Sequence, residues 1–304
     1  MTTYPSGQQY ELVDGGQHAT IVEVGAGIRT YEVGGRPVLQ PYPVEAICDG
    51  AHGTPLIPWP NRLADGRYSF DGADYQLPLT EPEKHNAIHG LLRWRPWQVK
   101  DQSTRWIVMT TRLHPQPGYP FLLDVEVEYR LTSDGLRTTT TATNRGDTAC
   151  PYGCGQHPYL SAGNRPLDDC TLQLPARTRI ETDPTRQLPT GTEPVTGTPY
   201  DFRTARPIGD LRIDYAFTDL NRDPDGLARV RLTRPDGSTV ELWVDSSYPL
   251  VEIFTGDTLA PDRARRGLGT EPMTCPPNAF QNGDQVHRLQ PGHHVRTTWG
   301  VRLC

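Results

Sequence analysis

Apolar residues alternate with polar ones along several stretches of this chain, and this alternation limits the fold more than any other feature. Every second residue is apolar from position 123 to 131, at Leu123, Val125, Val127, Tyr129 and Leu131. A period of two is typical of a strand that buries one face. A Ser-Asp-Gly turn follows at 133–135, and residues 136–143, which include four consecutive threonines, predict a second strand.

Asp-Gly pairs predict two further hairpins. One pair separates residues 228–232 from 239–244, and the other separates 68–70 from 75–77. Asp-Gly between alternating runs is a strong hairpin signal, and residues 295–303 alternate as well. Because strands follow strands without a helical pattern between them, the sequence predicts an all-β fold, a large antiparallel β-sandwich with few short helices.

Residues 160–210 are rich in Pro, Thr, Gly and Arg and show little periodicity. Apolar positions recur within them, which favours long loops and short strands over a linker between domains. We therefore expect a single domain over residues 1–304.

The overall charge narrows the classes of partner. The 304 residues carry a formal net charge of -6, which disfavours nucleic acid because neutralising phosphates needs a surplus of clustered Lys and Arg. No apolar run approaches the roughly 20 residues that span a bilayer. Residues 1–8 show neither a basic start nor an apolar run. We expect no membrane partner, no signal peptide and a cytoplasmic location.

The six cysteines are scattered, and only Cys150 and Cys154 lie close together in sequence. Without a second matching pair a zinc site is not expected, and a cytosolic chain is not expected to form disulfides. We expect buried thiols that pack as small hydrophobic groups. The sequence also lacks a Gly-rich phosphate loop and a His/Asp/Glu cluster at metal-ligand spacing, so we expect neither cofactor nor metal.

Four polar motifs lie in short segments bounded by Gly or Pro. They are Pro-Asn-Arg at 60–62, Asn-Ala-Ile-His-Gly at 86–90, Gly-Gln-His-Pro-Tyr at 155–159, and Gly-Thr-Glu-Pro at 269–272. Irregular segments of this kind often carry chemistry at the surface of a sheet. Two histidines and one glutamate can supply a proton donor and a proton acceptor near neutral pH without a metal.

The first two motifs offer contacts for a ligand rich in hydroxyl groups. Arg62, next to Asn61, can form a two-pronged hydrogen bond, although an isolated arginine more often pairs with a nearby carboxylate. His89 is followed by Arg93 and Trp94. Aromatic rings and cationic donors together suit a sugar pocket, whereas a lone histidine is usually structural.

The other two motifs supply candidates for proton transfer. His157 lies in a rigid Pro-flanked segment, and the ring of Tyr159 is placed either to orient it or to stack on a ligand. A nearby proline and glycine argue against a regular strand around Glu271, so we expect its carboxylate in an irregular segment. Asp214 stands alone between apolar residues and either faces a ligand or ends a strand. The alternative for His157 is a histidine buried in the core, and the alternative for Glu271 is an exposed carboxylate in a loop.

The ordered set of motifs resembles the aldose 1-epimerase (galactose mutarotase) family. The resemblance begins at Asn61 and Arg62, includes the motifs at 86–90 and 157–159 and Asp214, and ends at Glu271. Residues 89–94 and 271–277 are most similar to the bacterial branch that includes members associated with sulfoquinovose metabolism. His89 and Arg93 are also similar to residues of the hexose-6-phosphate epimerases.

This resemblance implies a galactose mutarotase-like supersandwich with an open cleft, which interconverts the α and β anomers of a free hexose without a cofactor. It implies that Glu271 removes the proton from the C1 hydroxyl and that His157 protonates the ring oxygen. His89 would hold the ring oxygen, and Arg62 and Asp214 would bind hydroxyls. We expect His157 to donate as a histidinium with an ordinary pKa of about 6.5.

Departures from the galactose branch leave the sugar open. Leu91 and Leu160 stand where that branch has a glycine and an aromatic residue, so specificity for galactose or glucose is not implied. Arg93 and Arg95 add positive charge near the second motif. We hypothesise that one of them contacts an acidic sugar; the alternative is that both pair with the acidic loop at 81–83.

Three alternatives to a mutarotase of free hexoses stay open. The first is an epimerase of a phosphorylated or sulfonated hexose. The second is a non-catalytic carbohydrate-binding protein, which the two histidines and Glu271 disfavour because binding alone needs no acid–base pair. The third is a relative recruited to natural-product sugar chemistry. We expect a monomer or a homodimer whose only partner is a small sugar.

Overall fold

Strands dominate the computed structural model, which describes residues 4–304. The prediction of no signal peptide was based on residues 1–8, of which Met1, Thr2 and Thr3 lie outside the described residues. The three helices are single turns, at Pro82–Lys84, Leu167–Asp169 and Ala279–Asn282. None of the helices in residues 4–304 has the length and apolar character needed to span a membrane.

Residues 4–304 contain 27 strands, numbered in chain order. They are β1 Gln9–Asp14, β2 Gln17–Val22, β3 Ile28–Val33, β4 Arg36–Leu39, β5 Pro55–Leu56, β6 Arg62–Ala64, β7 Arg67–Phe70, β8 Ala73–Gln76, β9 Asn86–Ile88, β10 Gln98–Gln102, β11 Trp106–Leu113, β12 Leu123–Thr132, β13 Gly135–Asn144, β14 Cys150–Tyr152, β15 Gly155–Gln156, β16 Tyr159–Ser161, β17 Thr171–Gln173, β18 Ala176–Thr182, β19 Pro189–Pro194, β20 Arg206–Pro207, β21 Asp214–Leu220, β22 Ala228–Thr233, β23 Thr239–Val244, β24 Leu250–Phe254, β25 Gly267–Met273, β26 His287–Leu289 and β27 His294–Leu303.

Two large antiparallel sheets pack face to face. The first has twelve strands, ordered β1-β2-β3-β4-β16-β25-β24-β21-β18-β19, with β15 joining β25 to β5. The second has nine strands, ordered β10-β11-β12-β13-β27-β23-β22-β17-β20. Tyr129 of the second sheet donates its hydroxyl to the carbonyl of Ala26 and accepts a hydrogen bond from Gln156 of the first. The predicted antiparallel sandwich is confirmed.

The alternating residues that predicted strands do form them. In β12 every second side chain is buried, in the order of the apolar residues from Leu123 to Leu131. The turn to β13 ends at Gly135, whose φ of 101° suits a residue without a Cβ. The Asp-Gly hairpins are confirmed as β7–β8 and β22–β23. Each fully buried Val or Leu side chain stabilises the sandwich by about 1.5–3 kcal/mol.

The thiols follow the expectation with one exception. Cys48, Cys150, Cys154, Cys170 and Cys275 are buried, whereas Cys304 is exposed. All six are free thiols.

The segment around Glu271 corrects the sequence-based expectation, because it is a regular strand. Every residue of β25 is buried, and β25 pairs with β24 on one side and with β15 and β16 on the other. Pro272 is tolerated because the amides of Thr270 and Thr274 donate to the neighbouring segment on either side of it. By the register of the strands, Pro272 falls opposite Gln156 of β15, so its missing N–H removes one donor from this ladder. Gly269 serves close packing against Phe254.

Gly90, the last residue of the second motif, lies against the backbone of Ile57, and its replacement tests how closely the two segments pack. Its φ is 71°, and a Cβ built on it would lie 2.0 Å from the carbonyl oxygen of Ile57. Gly72 has a φ of 78° with nothing within 4 Å, so G72A is the matched control. We expect G72A to lower the free energy of unfolding by about 1 kcal/mol and G90A by roughly 2 kcal/mol more, since the backbone must move. Urea titration measures both, and equal losses would contradict the steric argument.

Candidate active site

The first two motifs are locked together by the pairing of β6 with β9. Just beyond this pairing, the backbone N–H of His89 donates to the carbonyl of Asn61 (3.0 Å), and the N–H of Asn61 donates to Nδ1 of His89 (3.2 Å). Both residues have left-handed backbone, with φ of 60° and 55°, a conformation that concentrates at functional sites. Because Nδ1 accepts a hydrogen bond, the neutral ring carries its proton on Nε2.

Arg62 is buried and bound to a carboxylate. Its Nε and Nη2 donate to Glu81 at 2.9 and 3.0 Å, and Lys84 and Asn86 also donate to Glu81. The carboxylate pairing named as the alternative for Arg62 is therefore present. The two-pronged contact also fixes the guanidinium at the pocket wall, because geometry of this kind restricts rotation.

The third and fourth motifs meet across the first sheet. His157 lies between β15 and β16, and its Nε2 is 3.0 Å from Oε1 of Glu271 in β25. Both side chains are almost fully buried, at 4% and 2% exposure. Nδ1 of His157 and Oε2 of Glu271 have no hydrogen-bond partner among residues 4–304. An acid and a base are thus in contact, with both side chains almost fully buried.

Burial changes the protonation of this pair and corrects the expectation of a histidinium with an ordinary pKa. Burial lowers the pKa of His157 to about 3, with His52 and Arg93 adding to the effect. Burial also raises the pKa of Glu271 well above its usual value, and Asp214 raises it further while Arg62 opposes the rise. Both shifts favour the uncharged forms of the two side chains.

A stack of three rings fixes the orientation of His157. Tyr159 lies parallel to His157, with ring centroids 4.9 Å apart, and His52 lies parallel to the other face of Tyr159 at 4.4 Å. The Tyr159 hydroxyl donates to the carbonyl of Gly50 (3.0 Å). Packed rings of this kind restrict rotation of the imidazole, so Nε2 stays directed at Glu271.

One pocket contains most of the predicted site residues. Eight of them line it, namely Asn61, Arg62, His89, Arg93, His157, Tyr159, Asp214 and Glu271. Trp94 does not: it is 54% exposed, outside the pocket, and stacked on the guanidinium of Arg93 at 4.3 Å. The expected placement of Trp94 beside a sugar is therefore corrected.

The arginines after the second motif differ in their surroundings. Arg93 is 8% exposed, and its Nη2 donates only to the carbonyl of Ile88 (3.3 Å). No carboxylate of residues 4–304 pairs with it, so burial lowers its pKa to about 10. Arg95 is exposed and donates to Gln116. The alternative of pairing with the acidic loop at 81–83 does not occur, because Glu81 binds Arg62 and Lys84 instead.

Sequence reasoning missed several pocket residues. They are Gly50, Glu81, Ile88, Phe254, Thr258 and Leu259. Only Phe254 belongs to a pattern visible in the sequence, the apolar run of β24 that a single acid, Glu252, interrupts. Ile88 lies inside the second motif, where its apolar side chain gave no chemical signal. The others lie in connecting segments, where spacing carries no signal of direction.

Three pocket residues have the atoms of a metal site. His89, His157 and Glu271 each offer one ligand atom, all within 4.8 Å of one another, a set of the type that binds zinc. A metal-bound histidine normally donates a hydrogen bond through its other nitrogen. In His89 that nitrogen accepts one from Asn61, so the cluster fits proton transfer better than it fits a metal.

The chain is similar to known proteins over nearly its whole length. The chain matches the aldose 1-epimerase family over residues 8–301. It is 37% identical over 298 residues to the uncharacterized protein YihR of Escherichia coli (strain K12), covering 97% of this chain and 93% of YihR. It is 26% identical over 300 residues to the aldose 1-epimerase of the same organism, covering 88% of this chain and 84% of that one.

Solved structures confirm the galactose mutarotase-like fold. The GalM/aldose epimerase homologue from C. elegans superposes with a TM-score of 0.85 at 20% identity, covering 98% of both chains. The galactose 1-epimerase from Lactobacillus acidophilus NCFM superposes with a TM-score of 0.82 at 19% identity, covering 97% of this chain and 94% of that one. With the family match over nearly the whole length, the chain belongs to the aldose 1-epimerase family.

Proposed function

We propose that this protein is a mutarotase, an isomerase that interconverts the α and β anomers of a free hexose. The observation that carries the proposal is the contact between His157 and Glu271, whose Nε2 and Oε1 lie 3.0 Å apart in a buried pair, and we infer that the two groups share one proton. Around it, Arg62, Asp214 and Asn61 present charged and polar groups to the pocket. Such a pocket offers both the proton transfers and the hydroxyl contacts that anomer exchange needs.

The reaction uses the pair in one step and reverses it in the next. Glu271 takes the proton from O1, the C1–O5 bond breaks as the carbonyl forms, and His157 gives a proton to O5. The aldehyde rotates about C1–C2, O5 attacks the other carbonyl face, and the protons return. Since O1 and O5 are both bonded to C1, the two groups must lie close together, as they do at 3.0 Å.

The proton count of the pair suits this exchange. A neutral histidine with a protonated glutamate differs from a histidinium with a carboxylate by one proton moved between adjacent atoms. The second form is the reactive one, and it needs no proton from solvent. His89, with its proton on Nε2, is placed to donate a hydrogen bond to the charge that develops on the ring oxygen.

The acid and the base both come from this chain, so the proposed reaction needs no cofactor. We further propose that residues 1–304 act as one domain. One hydrophobic core joins residues of both sheets, including Val125 of β12 and Val251 of β24, which supports this assignment.

A second candidate is an epimerase of an anionic hexose, of the sulfonated or phosphorylated kind. Arg93 favours it, because a buried guanidinium on the pocket wall without a carboxylate partner is costly unless a ligand supplies the charge. The similarity of residues 89–94 and 271–277 to sulfoquinovose-associated members points the same way. The chemistry at C1 is common to both candidates.

Replacement of the base tests the reaction. E271Q keeps the shape of Glu271 but cannot accept the proton from O1, so we expect a loss of about 10²- to 10⁴-fold in kcat. Polarimetry of freshly dissolved α-D-glucose and α-D-galactose measures it, after subtraction of the spontaneous rate. E126Q, on the outer surface of the second sheet where Glu126 binds Lys100, is the control. Equal rates for E271Q and E126Q would contradict the assignment of Glu271.

The pH dependence tests the shared proton. A second proton enters the pair only near the lowered pKa of His157, about 3, so we expect kcat/KM to stay level as pH falls from about 7 to about 5. As pH rises through the raised pKa of Glu271, the pair loses its proton and activity falls. Polarimetric rates measured on both sides of pH 7 record the acidic and the alkaline part of the pH profile. A decline on acidification centred near 6.5, the pKa of a solvated histidine, would contradict the shared proton.

Charge removal at Arg93 separates the two candidate substrates. If an anionic group binds Arg93, R93M raises KM roughly 10- to 100-fold for glucose 6-phosphate or sulfoquinovose, the value of a charge-assisted hydrogen bond, and changes KM for glucose little. R95M is the matched control, because Arg95 is exposed and outside the pocket. Equal effects of R93M on anionic and neutral sugars would rule out anion recognition by Arg93.

A further inference from the structure

A buried glutamate that the proposed reaction does not use lies beside the base. Glu252 of β24 stands directly opposite Glu271 of β25, and residues opposed in an antiparallel pair present their side chains on the same face. Glu252 is 3% exposed. Asp214 of β21 lies on the same face, because Ala216, two residues further along β21, stands opposite Glu252, and Oε2 of Glu252 has no hydrogen-bond partner among residues 4–304.

The local charges do not balance if every acid is ionised. Asp214, Glu252 and Glu271 share one face of three adjacent strands, and the cation that faces them is Arg62. Two nitrogens of Arg62 already bind Glu81. Uncompensated buried charge is expensive, and a hydrogen bond between two carboxyl groups requires a proton on one of them, because carboxylates only accept.

We propose that Glu252 is a positioning residue, which stays protonated at neutral pH and donates its proton to the carboxylate of Asp214. Its protonation follows from burial, strand register and the local charges, while its effect on catalysis rests on the proposed function. The neutral acid holds Asp214 as a fixed acceptor at the pocket wall. It also keeps a further negative charge away from Glu271, which would otherwise disfavour the histidinium–carboxylate form that reacts.

The surroundings show which of the two acids holds the proton. Asp214 is half-buried at the pocket wall and accepts a hydrogen bond from the amide of Gln187, whereas Glu252 lies beneath it with no such donor. Burial raises the pKa of Glu252 well above its usual value, and the neighbouring charges of Asp214 and Glu271 raise it further while Arg62 opposes the rise. These three residues are the charged groups that face Glu252 from β21, β25 and β6.

Infrared spectroscopy tests the protonation directly and needs no turnover. We expect the spectrum of the wild type at neutral pH to contain the carbonyl stretch of a protonated carboxyl group that E252Q lacks. E271Q assigns the separate band of Glu271, and E126Q is the surface control. Wild-type protein labelled with ¹³C at the glutamate carboxyl groups gives the same readout if E252Q does not fold. Absence of a protonated band assignable to Glu252 would overturn the proposal.

Kinetics test the positioning role. E252Q keeps a donor for Asp214 but cannot ionise, so we expect its activity to persist to higher pH than that of the wild type. E252L removes the donor while keeping the volume, and we expect a rise of about tenfold in KM with a smaller change in kcat. Identical pH profiles of wild type and E252Q, or equal KM for E252L and wild type, would overturn the positioning role. An inactive wild type would instead refute the mutarotase proposal and leave the infrared result to decide the protonation.

Discussion

The burial of His157 and Glu271 governs how the rest of the pocket is built. Two ionisable groups buried in contact lose the hydration that would stabilise either ion, so both pKa values move toward the neutral forms. The surrounding residues then have two tasks. Arg62, fixed by Glu81, supplies the positive charge that lets a carboxylate exist at all, and the rings of Tyr159 and His52 prevent the imidazole from turning away.

The residues that line the pocket come from two kinds of segment, the strands of a sheet and the connections between strands. The proton-transfer groups and Asp214 lie on or next to strands of the first sheet, which hold them by backbone pairing. Arg93 and Leu259, in contrast, come from connecting segments. Under the proposed function, a division of this kind lets the loops select the sugar while the sheet holds the proton-transfer groups, and the fold itself is shared with structures about 20% identical to this chain.

Much of the fold and part of the site could be predicted from the sequence. Alternation is a local signal, so β12 and the Asp-Gly hairpins were predictable from their own residues. The ordered motifs predicted which histidines and which glutamate to examine. Contacts between distant residues carry no local signal, and Glu81 and Glu252 were missed for that reason. Trp94 was misplaced because its ring packs on the guanidinium of Arg93 outside the pocket. The strand at Glu271 was misjudged because the amides of Thr270 and Thr274 keep the pairing on both sides of Pro272.

The central position of β25 also sets where local opening can occur. A strand paired along both edges and buried throughout belongs to the part of a protein whose amides exchange with solvent only when the whole structure opens. Glu271 therefore changes its position when the core opens, and not when a loop moves. Fluctuations at the pocket rim can admit or release a ligand, but the base leaves its place only through cooperative unfolding of the sheet.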